Sequence, residues 1–205
     1  MKHFLWREMS ELCCVQELTP ISNSCINAPV WYCTFSPSGQ WMASCHGIPD
    51  LCIRIWKFEN NEWILSSTLT DVHERTIRHV AFAPSNHILA SASFDGTVGI
   101  WECVPNTNGF MKESIWECTT QLEGHENEVK CVVWNSTGTL LATCGRDKSV
   151  WVWESLLSMD SQEFGGGDGE FECLAVLHGH TGDVKYVLFA PSNNQWGDGK
   201  SSIQY

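Results

Sequence analysis

Residue types that can together move a proton recur along this chain. His73, Ser91 and Asp95 form one set, and His125, Thr143 and Asp147 form another. Imidazole, hydroxyl and carboxylate are the components of a hydrolytic triad, in which the imidazole takes the proton of the hydroxyl and the carboxylate orients the imidazole. Each set is closed by a tryptophan six residues after its aspartate, Trp101 after Asp95 and Trp153 after Asp147. Trp56 stands six residues after Asp50 in the same way. A hydrolase needs one such set with its hydroxyl open in a cleft. Repetition is instead what a structural role demands: the aspartate accepts from the imidazole, the hydroxyl bridges, and the indole N–H donates to close the network between strands. No catalytic residue is expected.

Other reactive types fail on spacing. Gly199-Lys200-Ser201 copies the end of a phosphate-binding loop, but the motif needs a glycine where Asn194 stands. Gly165-Gly166-Gly167, with Asp168 and Gly169, lacks the lysine and the helix, and reads as a flexible loop. The eleven cysteines contain no C-x₂-C pair of the kind that wraps a cluster. The adjacent Cys13 and Cys14 would point to opposite faces of a strand. Cys33, Cys45, Cys131 and Cys144 fall in predicted strands, where a thiol behaves as a small buried hydrophobe. The expectation is no metal and no cofactor.

The elements that position the repeated sets are short strands. In the third unit, Val129–Trp134 is a β-branched run closed by the turn Asn135-Ser136-Thr137-Gly138. Leu140–Cys144 is a second run, Arg146-Asp147-Lys148 a tight turn, and Val150–Trp153 a third run; Glu117–Leu122 is the outer strand of the unit before. The distance from Trp63, Trp116 or Phe171 to Leu69, Leu122 or Leu177 is six residues each time. All the slack lies between the Asp-linked tryptophan and the next aromatic: 7, 15 and then 18 residues. Helical periodicity is absent. Four short strands per unit, with one growing surface loop, predicts the blades of a β-propeller.

Leu122-Glu123-Gly124-His125-Glu126-Asn127-Glu128-Val129-Lys130, Leu141-Ala142-Thr143 and Cys144-Gly145-Arg146-Asp147-Lys148-Ser149-Val150-Trp151-Val152-Trp153-Glu154 resemble the WD40 repeat, and in particular the WD-repeat subunits of the cytosolic iron–sulfur protein assembly machinery. The resemblance covers roughly residues 31 to 191. It implies an all-β WD40 propeller, incomplete, with about three and a half of seven blades. The expected organisation is an N-terminal segment with a candidate closing strand (1–25), blade one (26–70), blade two (71–122), blade three (123–177), the start of blade four (178–194) and a divergent tail (195–205). Blade one has Ile26 and Asn27 where its histidine belongs and a longer turn, His46-Gly47-Ile48-Pro49-Asp50, so its network is expected to be incomplete and Trp56 to matter less than Trp153. Ala190-Pro191-Ser192-Asn193 repeats Ala83-Pro84-Ser85-Asn86, but Gln195 to Lys200 replaces the Leu-Ala-Ser strand then due. The chain reads as a truncated or alternatively spliced product, with Leu12–Leu18 an unpaired strand and an exposed flank around Tyr186, Leu188 and Phe189.

Composition sets further bounds. A net charge of −12, with only twelve Lys and Arg in 205 residues and no cluster of them, argues against nucleic acid. Lys2, Arg7, Glu8 and Glu11 interrupt any secretory segment, and no run reaches the length of a membrane span. Location in the cytosol or nucleus is expected, with reduced thiols and no glycan at Asn135-Ser136-Thr137.

What remains is binding. The turns before the repeated aspartates place Pro49, Phe94 and Arg146 on one rim, and Phe94, Arg146 and Glu128 are candidate partner-binding residues. The alternative has Phe94 folded over its own turn and Arg146 paired with Glu126 or Glu128. The resemblance implies a non-catalytic scaffold of the cytosolic iron–sulfur targeting complex, holding adaptor subunits and the iron-only hydrogenase-like carrier near apoproteins. A generic WD40 adaptor, such as a ubiquitin-ligase substrate receptor or a chromatin-associated module, is the other reading.

Overall fold

The computed structural model describes residues 16–18, 28–105, 114–155, 171–190 and 203–204. Three four-stranded antiparallel sheets follow one another along the chain, each in simple up-and-down order. The first sheet is β1 (Val30–Phe35), β2 (Trp41–His46), β3 (Ile53–Glu59) and β4 (Glu62–Leu69). The second is β5 (Ile77–Phe82), β6 (Ile88–Ser93), β7 (Val98–Pro105) and β8 (Ser114–Leu122). The third is β9 (Val129–Trp134), β10 (Leu140–Gly145), β11 (Ser149–Ser155) and β12 (Phe171–His178). No helix occurs among the described residues.

Turn chemistry explains the repetition. The first hairpin of each sheet closes with a backbone bond from the fourth turn residue to the first: Gly39 to Ser36 at 2.9 Å, Asn86 to Ala83 at 3.0 Å and Gly138 to Asn135 at 3.1 Å. That fourth residue has φ of 71°, 68° and 74°, the left-handed region that Gly and Asn enter most readily. The outer strand of every sheet carries one extra residue beside the tryptophan: Ser66 opposite Ile55/Trp56, Thr119 opposite Ile100/Trp101 and Leu174 opposite Val152/Trp153. A bulge of this kind bends the outer strand and strengthens the local twist.

The core lies between sheets rather than within them. Ala43, Cys45, Ile53 and Ile55 of the first sheet pack against Val80, Phe82, Leu89 and Trp101 of the second. Ala90, Ile100 and Leu122 meet Val129, Val132, Leu141 and Trp153 of the third. Cys131, Cys144 and Val150 meet Val184 and Val187 of the segment that follows. Middle strands therefore bury both faces, as in β2 and β6, and read as apolar runs rather than alternations. β1 packs beside β5 and β5 beside β9, so the first strands gather on one side, as blades do around an axis. The fold is an incomplete β-propeller.

The open face of the first sheet differs from the expectation for its cysteine. Cys33 lies in β1 but is exposed, because its side chain faces the flank that no preceding sheet covers among the described residues. At the other end, β13 (Leu188–Phe189) pairs with β14 (Ile203–Gln204), so the flank at Phe189 is not a bare edge, while Tyr186 and Leu188 stay exposed. Of the expected closing strand Leu12–Leu18, residues 12–15 lie outside the described residues and 16–18 form no strand. Gln16 instead hydrogen-bonds both backbone groups of Trp63 on the edge of β4, at 2.9 and 2.8 Å. Ile26, Asn27, Cys13, Cys14, Gly165–Gly167 and Gly199–Ser201 also lie outside the described residues.

Phe35 and Phe58 are exposed on the first sheet, each against Trp63. A contiguous apolar patch of this kind drives association. The chain is expected to self-associate, and the Phe35→Glu/Phe58→Glu double variant to shift sedimentation toward monomer; identical profiles for the two proteins would show that this flank is not the contact.

Candidate functional site: the buried hydrogen-bond networks and the rim above them

In the second sheet, Trp101 Nε1 donates to Ser91 Oγ at 2.9 Å, Ser91 Oγ is 2.7 Å from His73 Nε2, and His73 Nδ1 is 3.1 Å from Asp95 Oδ2. The third repeats the chain at 3.1 Å from Trp153 to Thr143, 2.8 Å from Thr143 to His125 Nε2, and 2.6 Å from His125 Nδ1 to Asp147. The indole has only a proton to give, so the hydroxyl accepts from it and donates to Nε2. Nδ1–H is then left to donate to the carboxylate. Ser91 and Thr143 are wholly buried.

The aspartates have further donors that sequence reasoning missed. Thr97 binds Asp95 Oδ1 through its backbone N–H at 2.9 Å and its hydroxyl at 2.6 Å. Ser149 does the same to Asp147 at 3.1 and 2.7 Å. The backbone N–H groups of Glu74 and Glu126 reach the other carboxylate oxygen at 3.0 and 3.2 Å. The signal was present as a Thr or Ser two residues after each aspartate, a local Asx-type turn. Burial alone would raise the two carboxyls. Hydrogen bonds from His73 and Thr97 outweigh it at Asp95, and those from Ser149 and His125 outweigh it at Asp147, so both sit below the usual carboxylate range. Burial lowers His125 despite Asp147, in keeping with a neutral ring.

The first sheet corrects the expectation of an incomplete network. Trp56 Nε1 donates to Ser44 Oγ at 3.1 Å, and Ser44 Oγ is 3.1 Å from Nε2 of His46. This imidazole comes from the end of β2 rather than from the preceding loop. Arg54 places Nη1 2.9 Å from the same ring and pairs with Asp50 through Nη2. Arginine has only protons to give, so the ring nitrogen facing it must be bare. Burial, and then Arg54, lower His46 to about 4. Arg54 stands alone in the buried run Ile53-Arg54-Ile55, and a buried cation requires a partner; that was the available signal.

The position two residues before each tryptophan explains why the three networks differ. It is Arg54, Gly99 and Trp151. A Cβ on Gly99 would stand 2.9 Å from Ser91 Oγ and 3.3 Å from His73 Nε2, so the second network packs directly against the space that this glycine leaves. In the third sheet Trp151 stacks on Trp153 at 5.3 Å and covers His125 at 5.2 Å. Gly124 (φ 151°) gives way to it, since a Cβ there would be 2.5 Å from the Trp151 ring.

Above the networks lies the rim. Glu128 Oε1 accepts from Arg75 at 3.1 Å and from Arg146 at 3.4 Å, while Lys130, 3.8 Å from Glu128, also meets Asp183 at 2.8 Å. Lys185 and Lys130 hold Asp183 down at about 2. Arg146 thus pairs with Glu128 yet keeps about 55% of its side chain exposed. The Phe94 ring meets Trp31 of the first sheet edge-on at 6.1 Å. Pro49 follows a cis peptide bond.

These repeated networks, one per sheet of a partial propeller, define a WD-repeat protein. The model of the WD domain, G-beta repeat (WD40), matches residues 14–57, 60–102 and 116–154, more than half of the chain, which belongs to the WD40 family. Curated relatives include the probable cytosolic iron-sulfur protein assembly protein 1 of Malassezia globosa, 47% identical over 102 residues (47% of this chain and 29% of that protein). The protein of the same name from Kluyveromyces lactis is 47% identical over 165 residues, 60% of this chain and 47% of its own. That from Mycosarcoma maydis is 35% identical over 157 residues, 60% of this chain and 34% of its own. The chain thus spans less than half the length of these relatives. Among solved structures, a chain of the mitotic checkpoint complex superposes with a TM-score of 0.57 at 21% identity, over 80% of this chain and 41% of that one, a likeness of fold.

Two measurements test the networks. Trp56 and Trp153 are almost equally buried, at 4% and 5% exposure, and each satisfies a buried hydroxyl. Trp56→Ala is therefore expected to cost about as much as Trp153→Ala, each about 3–5 kcal/mol by denaturant unfolding; a much smaller cost at Trp56 would mean that the Arg54–His46 network adds nothing. The second is pH dependence. The unfolded chain binds a proton at His46 near pH 6.5 and the native state only near 4, so stability falls as pH drops through that window, by up to roughly 3 kcal/mol from this group. His46→Gln, whose amide oxygen can still accept from Arg54, is expected to flatten the melting-temperature profile between pH 7 and 5. An unchanged profile would refute the assignment.

Proposed function

We propose that this chain is a non-catalytic WD40 scaffold of cytosolic iron–sulfur protein assembly, aiding cluster delivery to cytosolic and nuclear apoproteins. The observation that carries the reading is its 35–47% identity to curated proteins named for that process. The chemistry supports a binding role. The triad-like hydroxyls of Ser91 and Thr143 are wholly buried, and each oxygen already accepts from a tryptophan, which leaves no nucleophile facing a substrate.

The partners are other subunits of the targeting complex and the iron-only hydrogenase-like carrier, and the rim is their contact surface. Arg146 and Arg75 share Glu128, so an acidic segment of a partner can take over one of these guanidinium groups without uncovering a buried charge. Phe94 against Trp31 offers an aromatic anchor beside them. Exposed pairs of this sort contribute at most about 1 kcal/mol to stability, so their exchange costs the fold little.

Affinity purification of the tagged 205-residue chain from cells tests this. Recovery of iron–sulfur assembly factors, reduced at least tenfold by Arg146→Glu with an unchanged melting temperature, is the expected result. Recovery of a cullin adaptor or of histones in their place overturns the reading in favour of a generic WD40 adaptor.

A further inference from the structure

Cys131 in β9 and Cys144 in β10 are direct Cα partners across an antiparallel ladder. Directly opposed residues in such a pair project to the same face with Cα atoms about 4.5–5.5 Å apart, which lies inside the range a disulfide spans without backbone movement. The remaining strand cysteines do not share this geometry. Cys45 stands opposite Tyr32, with Cys33 opposite Ser44, and Cys103 stands opposite Trp116, with Cys118 opposite Trp101. Both side chains belong to one buried cluster, with Val150, Val184 and Val187. His79 Nε2 lies 4.0 Å from Cys131 Sγ, and the other ring nitrogen of His79 has no partner.

We propose that Cys131 and Cys144 form a redox-active cross-strand dithiol, oxidised to an intramolecular disulfide by hydroperoxides. The inference is independent of the scaffold reading. The Cys131 thiolate attacks the terminal peroxide oxygen; the O–O bond breaks, a sulfenic S–OH forms, and the departing oxygen takes the proton the thiol gave up, leaving as water or an alcohol. The Cys144 sulfur then attacks the Cys131 sulfur; the S–S bond forms, the S–O bond breaks, and hydroxide leaves with the Cys144 proton as water. Two thiols lose two electrons in all, and one peroxide gains them.

The surroundings assign the roles. The neighbouring Cys144 thiol, and then His79, lower Cys131 against its burial, while Cys144 is raised by the same neighbour and by its own burial. Cys131, the sulfur that has the His79 ring beside it, is therefore the attacking one and Cys144 the resolving one. Burial pushes Cys45 up to about 12 and raises Cys118, so neither competes. His79 and Tyr186 line a cavity of about 490 Å³ that runs along β5, β9 and Leu188–Phe189. His79 thus stands between that cavity and the buried sulfur. In its protonated form Cys131 donates to the carbonyl of Val187 at 3.8 Å, a donor that is absent from the disulfide. Oxidation would then loosen the segment after the third sheet, making the pair a switch on its docking. In a reducing compartment such a bond is transient and reversible.

The test treats the whole chain with hydrogen peroxide, blocks remaining thiols by alkylation and maps the peptides. The expected result is a peptide pair linked through Cys131 and Cys144, lost on treatment with a dithiol reductant. Cys144→Ser is expected to abolish the link and to leave a sulfenic acid on Cys131 that a 1,3-dione probe captures. If both cysteines remain alkylatable while the exposed Cys33 and Cys173 are oxidised, the proposal fails. The peptide map of the unaltered chain decides this even if the variant does not fold.

Discussion

A buried hydroxyl that takes one proton and gives another holds each repeat together. Ser91 and Thr143 stand between an indole, which can only donate, and an imidazole nitrogen, which must accept. Neither partner can be removed without leaving a buried polar group unpaired, a loss of about 1–3 kcal/mol. The bonds run head to tail from tryptophan to aspartate, so each polarises the next. They also join four separate pieces of chain: the entering loop, the second strand, the turn after it and the third strand. The positions of the rim residues follow, because Asp95 and Asp147 grip the backbone N–H groups of Glu74 and Glu126 directly beside Arg75 and Glu128.

The apolar contacts work at right angles to these networks. Each hydrophobic cluster is shared between neighbouring sheets, so a sheet carries its own polar scaffold and borrows its core from the next. That is the energetic pattern of a repeat protein, in which stability is summed from unit terms and nearest-neighbour interfaces. It also explains why the first sheet shows Phe35 and Phe58 to solvent: they lie on the face that no other described sheet covers.

Strand positions were legible because the turns announce them. Gly39, Asn86 and Gly138 end hairpin loops of identical geometry, and the apolar runs between turns are too short for helices. The His, Ser or Thr, Asp and Trp members of the second and third sheets were legible from spacing. The first-sheet network was not, because spacing looks for a histidine in the preceding loop and His46 arrives from within the longer turn. Geometry supplies what spacing omits: the Ser44 hydroxyl needs an acceptor, and any imidazole within reach of Arg54 can fill that place. The contact of Phe94 with Trp31 was illegible for a related reason, since Trp31 lies 63 residues earlier and no local pattern reports a neighbouring sheet.

The same limits bear on charge. A net charge of −12 describes the whole chain, yet Arg75, Lys130, Arg146 and Lys185 meet around Glu128 and Asp183 on a single rim, with Arg78 beside them. Glu128 and Asp183 lie among these cations and hold them together, while Arg78 rests over Trp31 at 5.6 Å. The guanidinium ends of Arg75 and Arg146 and the Lys185 ammonium are exposed, and such pairs hold little energy, so the rim leans on the buried aspartates beneath it. Net charge does not report such local order; the rim sets Glu74, Glu126, Glu128 and Asp183 among its cations.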